Sequence, residues 1–105
     1  MAFTGHEDHD IPLDTAAAWT KNYRDANPGA IKGHFFGKDA ITAILSQTNC
    51  VGARFYYALD DDGKKQLIVV GTQANQDDLF NGLLAERSID CPPTCGVNNP
   101  LNSNT

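Results

Sequence analysis

Apolar residues recur at two different periods along the chain, and the switches between them lay out its elements. Over 11–26, IPLDTAAAWTKNYRDA, the residues Ala16, Trp19, Tyr23 and Ala26 fall on one helical face. The stretch predicts a helix with Trp19 and Tyr23 buried against a sheet. Pro12 suits the first turn, Asp10 or Asp14 can cap it, and Asn27-Pro28-Gly29 stops it. Residues 38–48 predict a second helix, with Ile41, Ile44, Leu45 and Thr48 on one face and Asn49 as a left-handed stop. Between the two, IKGHFF at 31–36 reads either as an edge strand or as a connector that plugs two phenylalanines into the core.

The period then drops to two. In 50–59, CVGARFYYAL, the set Val51, Ala53, Phe55, Tyr57 and Leu59 alternates with Cys50, Gly52, Arg54, Tyr56 and Ala58. Residues 65–73, KQLIVVGTQ, are rich in β-branched side chains and predict a second strand. Asp62-Gly63 between them signals a hairpin with a two-residue turn, which sets Phe55 opposite Val70 and Tyr57 opposite Ile68. Both faces of such a hairpin are apolar, and two strands alone are marginal in water, so both faces want cover. Residues 76–87, with Leu79, Phe80, Leu83 and Leu84, predict a short helix interrupted by Gly82. The remainder, CPPTCGVNNPLNSNT, shows neither period and predicts an irregular tail that docks on a folded surface. The pattern sums to an α+β domain: two N-terminal helices packed on a small antiparallel sheet around the hairpin, then a short helix and the tail.

Charge divides the chain further. The 105 residues carry 13 acids and 8 bases, a net charge of −5. Residues 1–10 hold Glu7, Asp8 and Asp10 without a base, and 91–105 hold no charged side chain. This predicts a flexible acidic leader over 1–10, one domain over 11–90 and an uncharged Pro/Asn-rich tail over 91–105. A 41% hydrophobic content supports a core and argues against disorder. The acidic balance speaks against nucleic-acid binding, and no apolar run reaches the roughly 20 residues of a membrane span. The first ten residues lack a basic and then apolar secretory pattern, so the cytoplasm is the expected location.

The sharpest chemical feature is Cys91-Pro92-Pro93-Thr94-Cys95. Two thiols four positions apart can chelate zinc or copper, form a disulfide, or simply pack as small apolar groups. A tetrahedral zinc site needs two more ligands, and only Cys50, His6, His9 and His34 offer Cys or His. An odd count of three cysteines in a reducing compartment argues against a disulfide scaffold. His6-Glu7-Asp8-His9-Asp10 reads as a solvated leader, and Asp60-Asp61-Asp62-Gly63 as a turn rather than a calcium loop. Arg54, mid-strand beside Tyr56, can hold an anion or a partner's carboxylate through a stacked guanidinium; its alternatives are an internal salt bridge or a side chain that snorkels to solvent. No catalytic arrangement is marked, although a cleft joining His34 to a cysteine would support one.

Three runs, CVGARFYYALDDDGKKQLIVVG (Cys50 to Gly71), AERSIDCPPTC (Ala85 to Cys95) and NPLNS (Asn99 to Ser103), resemble a family of small uncharacterised bacterial proteins with a C-terminal CPPxC segment. That resemblance implies a standalone bacterial protein and carries no activity or site residue with it. The expected function is a small non-enzymatic binding or interaction module acting as a homo-oligomer, a homodimer in the simplest case, or with an unknown protein partner. The alternative is a metal- or thiol-handling protein working through Cys91 and Cys95.

Overall fold

The computed structural model describes residues 1–104 as a mixed α+β chain of two helices and two antiparallel sheets. It divides into two compact units whose boundaries run across the expected leader, body and tail. One unit joins Met1–Asp8 to Phe36–Ser88; the other joins His9–Phe35 to the segment from Ile89 onward. No helix among the described residues is long and apolar enough to cross a membrane.

The first unit is built on the hairpin. β2 (Cys50–Leu59) and β3 (Lys65–Gln73) pair antiparallel over the lengths their alternation predicts. The register differs from expectation by one residue: Phe55 faces Val69, Tyr57 faces Leu67, and Arg54 faces Val70. The reason is the turn. Asp60 N–H donates to Lys64 O at 2.9 Å and Gly63 N–H to Asp60 O at 2.9 Å, which leaves a loop of three residues, Asp61 to Gly63. The Asp60 carboxylate selects this loop by accepting the Asp62 and Lys64 amides, both at 2.9 Å. Gln66, above all, and those amides hold its pKa below the usual carboxylate range. Gly63 takes φ +79°, the left-handed position that closes a three-residue hairpin.

The 76–87 helix does not form. Gln76, at φ +77°, turns the chain back so that 77–79 runs beside β3, with Gln73 N–H donating to Asp77 O and Leu79 N–H to Gly71 O. A turn over Leu79–Gly82 interrupts this edge, and β4 (Leu84–Ala85) resumes it opposite Val70 and Val69. The four apolar residues that suggested a helix instead sit on a broken third strand.

Helix α2 (Lys38–Leu45) lies on β2 and β3. It ends three residues short of the expected Thr48, and Asn49 is left-handed at φ +68° as expected. Gln47 ties the helix end to the sheet: its Nε2 donates to Ile44 O at 2.8 Å, and its Oε1 accepts the Leu83 amide at 2.9 Å. A Cβ on Gly71 would fall 2.8 Å from Gln47 Nε2 and 2.9 Å from Cys50 Sγ, so a side chain there would displace the Gln47 amide or the Cys50 thiol. Ile44, Val69 and Val70 are the buried hydrophobic residues, and Phe36 meets Phe55 edge-on at 6.4 Å. Residues 1–8 fold with this unit: Phe3 N–H donates to Ala74 O at 2.8 Å. The Thr4 amide first, then its hydroxyl and the Gly5 amide, bond the Glu7 carboxylate and lower its pKa to about 2.

The second unit holds helix α1 (Leu13–Ala26) and the antiparallel pair of β1 (Gly33–Phe35) with β5 (Ile89–Cys91). The edge-strand reading of 31–36 is thus the one that forms, with Phe35 exposed. Pro12, with no side-chain cap bond, stands at the N-cap of α1, and Asp14 lies in its first turn. Trp19 and Tyr23 are not buried: Trp19 is 63% exposed. The shielded stripe is Ala16, Thr20 and Arg24, one residue round from the apolar face. Thr20 can be shielded because its hydroxyl donates to Ala16 O at 2.9 Å. Arg24 faces the tail, donating to Leu101 O at 2.9 Å, Ser103 O at 3.0 Å and Asn104 Oδ1 at 3.0 Å, and Lys32 Nζ donates to Asn102 O at 2.5 Å. The tail is therefore held by cations on backbone carbonyls, with Val97 and Leu101 left exposed.

Nothing lies within 4 Å of a Cβ placed on Gly63, so substitution there meets backbone strain without a clash. Gly63→Val should lower unfolding free energy by about 1–2 kcal/mol, measured by urea denaturation. A variant as stable as the parent would contradict the left-handed assignment.

Candidate functional site

Arg54 and Tyr56, two apart on β2, share one face of the hairpin sheet with Thr72 of β3. Asp78 pairs with Thr72 on the far side of β3. Both β2 side chains reach across β3 to it. Arg54 Nη1 lies 2.6 Å from Asp78 Oδ1 and also donates to Gln76 O at 3.2 Å; the Tyr56 hydroxyl donates to Asp78 Oδ2 at 2.5 Å. The Thr72 hydroxyl donates to Asp78 Oδ1 at 3.3 Å. Phe3 completes the cluster, its ring centroid 5.7 Å from the Arg54 Cζ. The aromatic partner of the guanidinium is thus Phe3 rather than the expected Tyr56. Side-chain exposure is 33% for Arg54 and 18% for Asp78.

The electrostatics follow from this geometry. The Tyr56 hydrogen bond, then the Arg54 charge and the Thr72 hydroxyl, push the Asp78 carboxyl below its ordinary value against the effect of burial. The Tyr56 hydrogen bond and then the Asp78 charge raise the Arg54 pKa. Arg54 is accordingly neutralised within its own unit. Its role in this arrangement is a clamp that fixes the 76–79 segment to the sheet, which is the internal salt bridge among its expected roles. Sequence reasoning placed Arg54 and Tyr56 together but missed Asp78 and Phe3. Asp78 lay inside an expected helix and Phe3 inside an expected loose leader.

The other candidate cluster belongs to the second unit. Cys91 and Cys95 are joined as a disulfide with Cα atoms 4.9 Å apart. The Cys91-Pro92 and Pro92-Pro93 peptides are cis, and Thr94 N–H donates to Asp90 O at 2.9 Å. Bridged sulfurs are not thiolates and do not ligate a metal as thiolates do. On the adjoining pair of strands, His34 faces Asp90, Nδ1 to Oδ1 3.2 Å. Gly33, not His34, stands opposite Cys91, so the imidazole and Cys91 occupy alternate positions of the ladder. Cys50 is the free cysteine; it lies in the other unit, its Sγ 3.1 Å from Gly52 O. His6 and His9 are exposed. Among the described residues no group of three or more His, Cys, Asp or Glu side chains is placed to hold a metal ion. No protein-family model, curated protein or solved structure matches the chain.

Asp78→Asn removes the charge that pairs with Arg54 and one of the two acceptor oxygens that Arg54 and Tyr56 use. Asp78→Asn should cost about 2 kcal/mol at pH 7, measured by urea denaturation. The pH dependence has a defined sign. A carboxyl whose folded pKa is depressed stabilises the fold above its unfolded value of about 3.9, and that contribution is lost as pH falls through the folded pKa. The parent should therefore lose more stability below about pH 4 than Asp78→Asn does.

Proposed function

We propose that this chain is a small non-enzymatic interaction module that acts by self-association. The observation that carries the reading is the apolar surface left on the hairpin unit. Tyr57 is 94% exposed and Leu59 70% on β2, Phe80 is 71% exposed, and Phe55 and Leu84 are also solvent-facing, against a core of three buried hydrophobic residues. Phe55, Tyr57 and Leu59 alternate along β2 and so share one face, and a row of exposed apolar side chains with aromatic members marks a contact site. The charged pair inside the unit is internally neutralised, which leaves apolar contact rather than anion binding as what the surface can offer. In this reading the chain is one of a family of small bacterial proteins, and its partner is another copy of itself.

A second reading is favoured by the Cys91–Cys95 bridge: a thiol-handling protein whose pair opens and closes, or binds zinc or copper once reduced. A cytoplasmic location fits a bridge that cycles; an oxidising compartment fits one that stays closed.

Sedimentation velocity over a hundredfold concentration range tests the first reading. A dimer population that grows with concentration is expected, and a single monomeric species throughout would overturn it. The second reading is tested by counting thiols in protein denatured without reductant. One reactive thiol, Cys50, is expected for the closed bridge and three for the open pair. Elemental analysis of the reduced protein then reports whether a stoichiometric metal accompanies the open form.

A further inference from the structure

The hairpin sheet has the order β2-β3-β4, so the ten residues of β2 form one of its edges. Their ladder phase follows from the turn. Asp60 and Lys64 are a hydrogen-bonded pair, so Ala58, Tyr56 and Arg54 direct their backbone groups at β3. Leu59, Tyr57, Phe55 and Ala53 direct theirs outward. The outward row belongs to the residues whose side chains are most exposed on this strand.

We propose that the occupant of this edge is β2 of a second copy, running antiparallel and centred on Tyr57. This deepens the self-association reading above and rests on it. Two-fold symmetry requires a strand to pair with itself about one centre, and the outward-facing amides require odd-numbered residues to meet odd-numbered ones, so that centre falls on a residue and not between two. With Tyr57 opposite Tyr57, Phe55 falls opposite Leu59 and Tyr56 opposite Ala58. Arg54 then falls opposite Asp60, and symmetry makes this contact twice. Shifting the centre to Tyr56 would place Arg54 opposite Ala58 and lose both charge pairs. Every directly opposed pair in the Tyr57 register is apolar, aromatic or of opposite charge, the combinations that stabilise neighbouring strands. Arg54 reaches across β3 to Asp78 and Asp60 accepts Gln66, so the cross pair forms only in exchange for those internal bonds and sets alignment rather than strength. The result is a six-stranded sheet continuous through two hairpin units. Main-chain hydrogen bonds supply the attachment, and the side-chain pairs supply the register.

The test is amide hydrogen exchange of the full chain at concentrations below and above the dimerisation midpoint, together with the variant Tyr57→Lys. The amides of Phe55, Tyr57 and Leu59 should slow at least about tenfold on dimerisation, while those of Arg54, Tyr56 and Ala58, already bonded to β3, should not change. Tyr57→Lys sets two like charges face to face on an exposed position. It should raise the dissociation constant at least about tenfold with an unchanged circular dichroism spectrum. Leu59→Lys faces Phe55 of the second copy instead of itself and should weaken the dimer less. A dimer that keeps fast Phe55, Tyr57 and Leu59 amides, or that survives Tyr57→Lys, overturns the edge pairing and leaves self-association standing. A chain that stays monomeric overturns both, whatever other segment the edge then accepts.

Discussion

The register of β2 on β3 is the constraint from which the rest of the hairpin unit follows. A strand's side chains alternate, so a slip of one residue would send every one of them to the opposite face. In the register that forms, Arg54 and Tyr56 share a face with Thr72 and can meet Asp78. Phe55 takes the other face and meets Phe36. Gly71 comes under the end of α2, where a side chain would displace the Gln47 amide. The register is in turn fixed by one carboxylate. Asp60 folds a three-residue loop by binding the Asp62 and Lys64 amides, and that loop length decides which residues of the two strands meet.

Both long strands were legible in the sequence, because alternation and β-branched content are local properties of a strand. Loop length was not: Asp62-Gly63 favours a two-residue turn, and only the side chain of Asp60, two positions earlier, tips it to three. The 76–87 stretch misled for a related reason. Leu79, Phe80, Leu83 and Leu84 fit a helical face, but they fit equally a third strand broken at Gly82, and the choice is made by pairing with Gly71 and Val70 far away in sequence. On α1 the shielded stripe is polar because its partner is the carbonyl-rich tail, which Arg24 satisfies and Trp19 cannot. The candidate site was half visible on the same principle. Arg54 and Tyr56 are neighbours on one strand, whereas Asp78 and Phe3 reach them only through the fold.

The cysteines show how an odd count can still conceal a pair. Cys91 and Cys95 are close in sequence and bridge within one unit, while Cys50 is held in the other. A ring of five residues restricts the unfolded chain little, and the loop-entropy relation gives it only about 2 kcal/mol. The bridge therefore suits a local brace on the turn after β5 better than a staple for a whole domain. That turn is held independently of it, by Thr94 N–H on Asp90 O and by the pairing of Gly33 with Cys91. Opening the bridge changes the chemistry of the two sulfurs while leaving those hydrogen bonds in place, which is the property a reversible thiol pair needs.

The two edges of the hairpin sheet are unequal, and the inequality bears on what self-association can build. Natural edge strands are blunted by proline, lysine, bulges or shortness. The outer edge carrying β4 has the last of these: two residues, cut off from the preceding 77–79 segment by the turn over Leu79–Gly82. β2 has ten residues, no proline or lysine, and a bulge only at its start, between Cys50 and Gly52. Its one charge, Arg54, is drawn onto Asp78. A sheet with two open edges grows into a fibre by head-to-tail addition, because each new copy offers a further edge. A sheet with one open edge cannot. Pairing β2 with β2 about Tyr57 would take Phe55–Leu59 of the one long edge on both copies and leave the short, interrupted edge outermost. On the proposed pairing, the same broken third strand that defeated the helical reading of 76–87 would limit the assembly to two copies.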